Sequence, residues 1–65
     1  MRLSVNGDPR ETGAATLAAL LAELGIDPQR VAVAVNGQVV PRGEWDRHRM
    51  TSGDRVEVIT AVGGG

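Results

Sequence analysis

Sixty-five residues with a formal charge of −1 make one small domain, one that buries only about 60% of the surface its unfolded chain exposes. Cysteine is absent, which excludes disulfides, cysteine-based metal sites and thiol nucleophiles and fits a reducing compartment. Seven arginines lie scattered among eight acidic residues with no lysine, so there is no basic stripe for nucleic acid and no side-chain amine for isopeptide or Schiff-base chemistry.

With no Phe or Tyr, stacking on nucleobases is limited to Trp45. "MRLSVNG" lacks the charged, apolar and cleavage regions of a signal peptide. No apolar run approaches the ~20 residues that span a bilayer. The expected location is the cytoplasm, with neither a membrane nor nucleic acid as partner.

"MRLSV" alternates, with Met1, Leu3 and Val5 on one side, and predicts a half-buried strand. Asn6-Gly7 is a strong hairpin signal, since both residues tolerate positive φ. The return strand is about "DPRET". Pro9 lacks an N–H for a ladder, so this is expected to be a short or edge strand. Thr16 then reads as a helix N-cap. Leu17, Leu20, Leu21 and Leu24 form one apolar stripe at helical period. Gly25 is suited to ending the helix, and Pro28 prevents its continuation. A helix of about nine residues is too short to stand alone, so it must lie on something.

"VAVAV" at 31–35 is apolar throughout, which predicts a strand in the middle of a sheet or covered on both faces, the small alanines under the helix. A second Asn-Gly pair, Asn36-Gly37, returns the chain through Gln38-Val39-Val40 to Pro41. "RGEWDRHRM" has neither period and reads as a loop with one short turn. "SGD" is another turn. "RVEVITAV" is the last strand, with Val56, Val58 and Thr60 on one face and Ile59 interrupting the pattern. The order β-β-α-β-β-β, two hairpins flanking one helix, describes an α+β β-grasp, ubiquitin-like fold. One helix crosses a mixed sheet in which one pair of strands must be parallel.

The motifs "VNG" (Val35-Asn36-Gly37), "VPR" followed by Trp45 (Val40-Pro41-Arg42), "GD" (Gly53-Asp54) and the glycine pair at the end of the given chain fall in one short sequence. On these, and on the "TLAALLAELG" helix, the chain resembles the ThiS family, the sulfur carrier proteins of thiamine biosynthesis. It departs from the family's usual pattern in having three glycines, Gly63, Gly64 and Gly65, where the family has a non-glycine residue before the pair. The extra glycine leaves the last two positions intact.

The resemblance implies a β-grasp domain over 1–62 and a flexible glycine tail over 63–65. It implies that a partner related to ubiquitin-activating enzymes adenylates the α-carboxylate of Gly65 with ATP. A sulfur donor protein then supplies sulfur for a thiocarboxylate, and thiazole synthase takes that sulfur into the thiazole ring. Gly63 and Gly64 would enter the partner's site. Glycine suits this independently, because a residue without Cβ threads a narrow channel and leaves its carbonyl carbon unhindered. The chain itself would be a carrier and co-substrate, not an enzyme, and would hold no cofactor of its own, the ATP belonging to the partner.

Two neighbouring readings stay open at this point. One is a sulfur carrier for molybdopterin synthesis, whose small subunit shares fold and ending but is usually longer and lacks the "VPR…W" motif. The other is a ubiquitin-like protein modifier ligated through Gly65. A plain interaction module, its glycines without a role, belongs to a third class.

Trp45 reads as core, with its N–H satisfied nearby. Arg42 is expected to pair with Glu44 or Asp46, or to dock a partner's acidic group. His48 stands without ligand partners at metal-binding spacing and reads as a solvated loop residue. No metal site is expected. By the resemblance alone, Val58, Thr60 and Val62 join Arg42 as partner-docking candidates. The Asn-Gly pairs read as turn formers without chemistry.

Overall fold

A computed structural model describes residues 1–60. Strands β1 (Arg2–Val5) and β2 (Asp8–Glu11) form the first hairpin, and helix α1 (Leu17–Glu23) follows. Strands β3 (Val31–Val35) and β4 (Gln38–Val39) form the second hairpin, and β5 (Arg55–Thr60) closes the order. Short 3₁₀ turns at Pro28–Arg30 and Arg42–Glu44 fill the connections. The five strands make one sheet in the order β2-β1-β5-β3-β4. β5 runs parallel to β1 and antiparallel to β3. This is the β-grasp arrangement expected from the sequence, with the last strand at the centre.

Local sequence accounts for each boundary. Both hairpins turn on Asn-Gly with positive φ, 50° and 85° at Asn6-Gly7 and 53° and 84° at Asn36-Gly37. That backbone matches the right-handed twist of the flanking strands. β2 carries Pro9 opposite Ser4 at the sheet's edge, where a missing ladder donor costs little.

At the helix start, Thr16 accepts from the Ala19 N–H through its side chain and from the Leu20 N–H through its carbonyl. The Leu17 and Ala18 N–H groups donate to the carbonyls of His48 and Trp45, both at 2.9 Å. The N–H groups of the first three helical residues, which have no partner within the helix, are therefore satisfied. At the other end, the Gly25 N–H reaches Ala22 O and the Ile26 N–H reaches Leu21 O, with Gly25 at φ 71°. That is a Schellman closure. It makes α1 seven residues long, slightly shorter than the leucine stripe suggested.

The stripe packs onto the sheet. Leu17, Leu20 and Leu21 are buried against Leu3, Val33 and Val56. Here β3 departs from expectation. Its valines, Val31, Val33 and Val35, face the helix, while Ala32 lies exposed on the opposite face. The strand is also next to the sheet's edge and not at its middle. The larger side chains fill the space beneath α1; of the two alanines on the other face, Ala32 is exposed and Ala34 is buried. Met1, expected on the inner side with Leu3, is exposed at the start of the chain. No described buried side-chain N or O atom lacks a hydrogen-bond partner.

Leu20 is fully buried at the centre of this contact. Leu20→Ala is expected to cost roughly 2–5 kcal/mol by transfer and cavity terms, a large share of the stability of so small a domain. Urea denaturation followed by circular dichroism checks this; a loss well under 1 kcal/mol would contradict the packing described.

Candidate functional site

The described part of the expected site is the end of β5 and what surrounds it. Val62, Gly63, Gly64 and Gly65 lie outside the described residues. Thr60 is the last residue of β5 and is exposed, paired across the sheet with Val31. Val58 points to the helix side and is half-buried against the core. The exposed apolar side chain of this strand is Ile59, 59% accessible. It lies on the open face directly across from Ala32. Val39, 72% accessible, shares that face across from Ala34. Ile59 and Val39 lie at the two ends of an apolar diagonal that runs through Ala32 and Ala34 on that face. Alternation along β5 made Ile59 look like an interruption. The signal that would have marked it is the cross-strand register, which single-strand periodicity does not contain.

Arg42 does not pair with Glu44 or Asp46. Its guanidinium lies 5.5 Å from the centroid of the Trp45 ring. One N–H donates to the Val31 carbonyl at 3.3 Å. Arg42 thus covers the Trp and ties the loop after β4 to the start of β3. Trp45 is core, 4% accessible, and its Nε1–H donates to Val40 O at 2.8 Å. His48 is partly exposed. It donates its own N–H to Glu44 O and accepts from Leu17 with its carbonyl. Among the described residues, no group of three His, Cys, Asp or Glu side chains is placed to hold a metal ion. No described helix is long and apolar enough to cross a membrane.

The two motif elements "NG" and "GD" meet in space. Asp54 is buried at the turn before β5. One carboxylate oxygen accepts from the Thr51 N–H at 2.8 Å. The other accepts from the Thr51 hydroxyl and from Asn36 Nδ2, both at 3.0 Å. Burial alone would raise its pKa, but these hydrogen bonds and the charge of nearby His48 outweigh it and hold the carboxyl below its ordinary value. Asn36 Oδ1 accepts from the Arg55 N–H at 2.9 Å. The first residue of β5 is therefore fixed by side chains from two turns. Spacing in the sequence gave no sign of this link, which joins residues eighteen apart through a fold.

A profile of the ThiS family matches residues 3–65. The chain belongs to the ThiS family. Within it, the sulfur carrier protein ThiS of Escherichia coli K12 is 34% identical over 50 residues, covering 77% of this chain and 76% of that protein. The crystal structure of the thiamine biosynthesis protein ThiS from Geobacter metallireducens superposes with a TM-score of 0.86 at 36% identity, over the whole of both chains. Thiazole synthases of Paramagnetospirillum magneticum and Magnetococcus marinus are each 39% identical over a 66-residue alignment. That alignment takes in all of this ThiS chain but only 20% of each relative, so the chain spans about a fifth of their length.

The depressed Asp54 carboxyl makes stability pH-dependent. Its folded-state pKa lies below the unfolded value, so its contribution is complete above about pH 4 and is lost as pH falls through the folded-state value. Asp54→Asn is expected to cost about 1–3 kcal/mol at neutral pH and to flatten the acid side of the stability curve. Urea midpoints from neutral pH to about pH 3 read both effects. An acid limb identical to that of the unmodified chain would contradict the assignment.

Proposed function

We propose that this chain is the sulfur carrier that delivers sulfur for thiazole formation in thiamine biosynthesis. The observation that carries the reading is the ThiS family match over residues 3–65, which takes in the fold, the "NG" and "GD" motifs and the three glycines. The kinship to the E. coli sulfur carrier supports it. Thiazole synthase as the partner is supported by the two relatives of that name, each of which contains a stretch similar to all of this chain.

The chemistry runs through the α-carboxylate of Gly65. A carboxylate is a poor electrophile, so it is activated first. Its oxygen attacks the α-phosphorus of ATP and displaces pyrophosphate, giving an acyl-adenylate. Sulfur released by a donor protein as hydrosulfide then attacks the acyl carbon and displaces AMP, and loss of its proton to solvent leaves a thiocarboxylate. Thiazole synthase takes the sulfur from that group.

The adenylating partner, related to ubiquitin-activating enzymes, supplies the nucleotide site. The carrier supplies the electrophilic carbon and the surface that docks. It is a co-substrate with no catalytic side chain of its own, and it acts in the cytoplasm, where ATP is available. The docking surface is the open face of the sheet, with Ile59 and Val39 as apolar anchors. Arg42, lying over Trp45, with Val58 and Thr60 on the helix side of β5 and Val62, complete the candidate set. Ordering a tail costs roughly 1–2 kcal/mol per residue, so affinity must come from the folded body.

Deletion of Gly65 is expected to abolish thiocarboxylate formation and growth without added thiazole while leaving the thermal unfolding midpoint unchanged. Complementation of a strain lacking its own carrier, with circular dichroism on the purified variant, reads both. Growth without added thiazole on the truncated chain alone would reject the proposal.

A further inference from the structure

Strand β1 ends too early to hold all of β5. Its register runs Ser4↔Arg55 and Val5↔Val56, and the Asn6 N–H donates to Val56 O at 2.8 Å. The chain then turns away at Asn6-Gly7. β5 continues to Thr60. On its β3 side the ladder persists to the end, with Val33↔Val58, Ala32↔Ile59 and Val31↔Thr60. On its β1 side the backbone partner is gone.

The Asn6 side chain takes its place. Oδ1 accepts from the Val58 N–H at 2.8 Å, and Nδ2 donates to Val58 O at 3.3 Å. A carboxamide presents an acceptor oxygen and N–H donors in one plane, the same kinds of group that a peptide offers. It engages both backbone groups of Val58, which a continued parallel ladder would pair with two successive bonding residues of β1. Among the described residues it is the last group to grip that edge. Val58 stands seven residues before Gly65.

We propose that Asn6 is a positioning residue for the transfer chemistry: its carboxamide carries the hold on the β1 side of β5 on to Val58 and so sets the direction of the end of that strand. The proposal rests on the sulfur-carrier reading. A partner that must admit the tail into an enclosed site gains affinity when the exit is already oriented, because less freedom is lost on docking. The turn itself does not call for this side chain. A residue at φ 50° needs only left-handed backbone, which glycine supplies without strain. Asn36 is the internal comparison. It has the same turn geometry, but its side chain holds Arg55 and Asp54, at the start of β5 and away from the tail.

Asn6→Gly therefore removes both bonds to Val58 and keeps the turn. Asn6→Asp keeps the acceptor and loses the donor. Asn36→Gly removes the matching bonds at the other end. Each would be assayed as the varied substrate in pyrophosphate release by the adenylating partner, at a temperature where circular dichroism shows it fully folded, with amide hydrogen exchange at Val58 and Leu20. Asn6→Gly is expected to speed exchange at Val58 but not at Leu20. It is expected to raise KM about fivefold, equal to roughly 1 kcal/mol, with kcat within about twofold. Asn6→Asp falls between it and the unmodified chain. Asn36→Gly lowers the unfolding midpoint and leaves KM unchanged.

A folded Asn6→Gly chain with unchanged KM would overturn the proposal and leave Asn6 a purely structural group. An equal rise in KM for Asn36→Gly would overturn it too, by assigning the effect to stability. Failure of the unmodified chain to be adenylated would reject the carrier reading on which the proposal stands.

Discussion

The position of β5 between β1 and β3 is the constraint on which the rest of the molecule depends. Among the described residues it is the only strand whose neighbours come from both hairpins, so it joins two halves that would otherwise be separate two-stranded ribbons. An isolated hairpin is marginal in water, whereas several strands under one helix bury a shared apolar face. Val56 lies at the centre of that face, fully enclosed beneath the leucines of α1. The parallel pairing with β1 requires the chain to cross the sheet, and α1 is part of that crossing. The helix is short and satisfies its first turn partly through the carbonyls of Trp45 and His48. The irregular loop after β4 thus belongs to the helix as much as to the sheet.

The same constraint has a functional side. A carrier that presents its chain end to other proteins needs that end attached to its most firmly held element. Here the strand leading to the glycines is gripped at its start by Asn36 and Asp54 and further along by Asn6. Local opening is least frequent where backbone bonds are central and buried.

Much of this was legible in the residues. The leucine period, the two Asn-Gly turns, Pro9 at an edge and Gly25 as a helix stop all work through forces acting within a few residues, and each appears as read. The motif set led to the family. What local pattern could not carry was which neighbour each side chain would meet. The valines of β3 took the helix side because the cavity beneath α1 needed their volume. Arg42 chose the Trp45 ring and a carbonyl over nearby carboxylates, which on a surface offer about 0–1 kcal/mol. The asparagines read as turn residues alone. Their side chains act across separations of 52 and 18 residues, distances that exist only after folding.

The account centres on one atom exchange at one residue. The most direct test is the intact mass of the purified chain after incubation with ATP, the adenylating partner and a sulfide source, followed by fragmentation. The account predicts a gain equal to replacing one carboxylate oxygen by sulfur, localised to Gly65 and dependent on ATP. An unchanged mass, with the same partner preparation active on another ThiS protein, would contradict it.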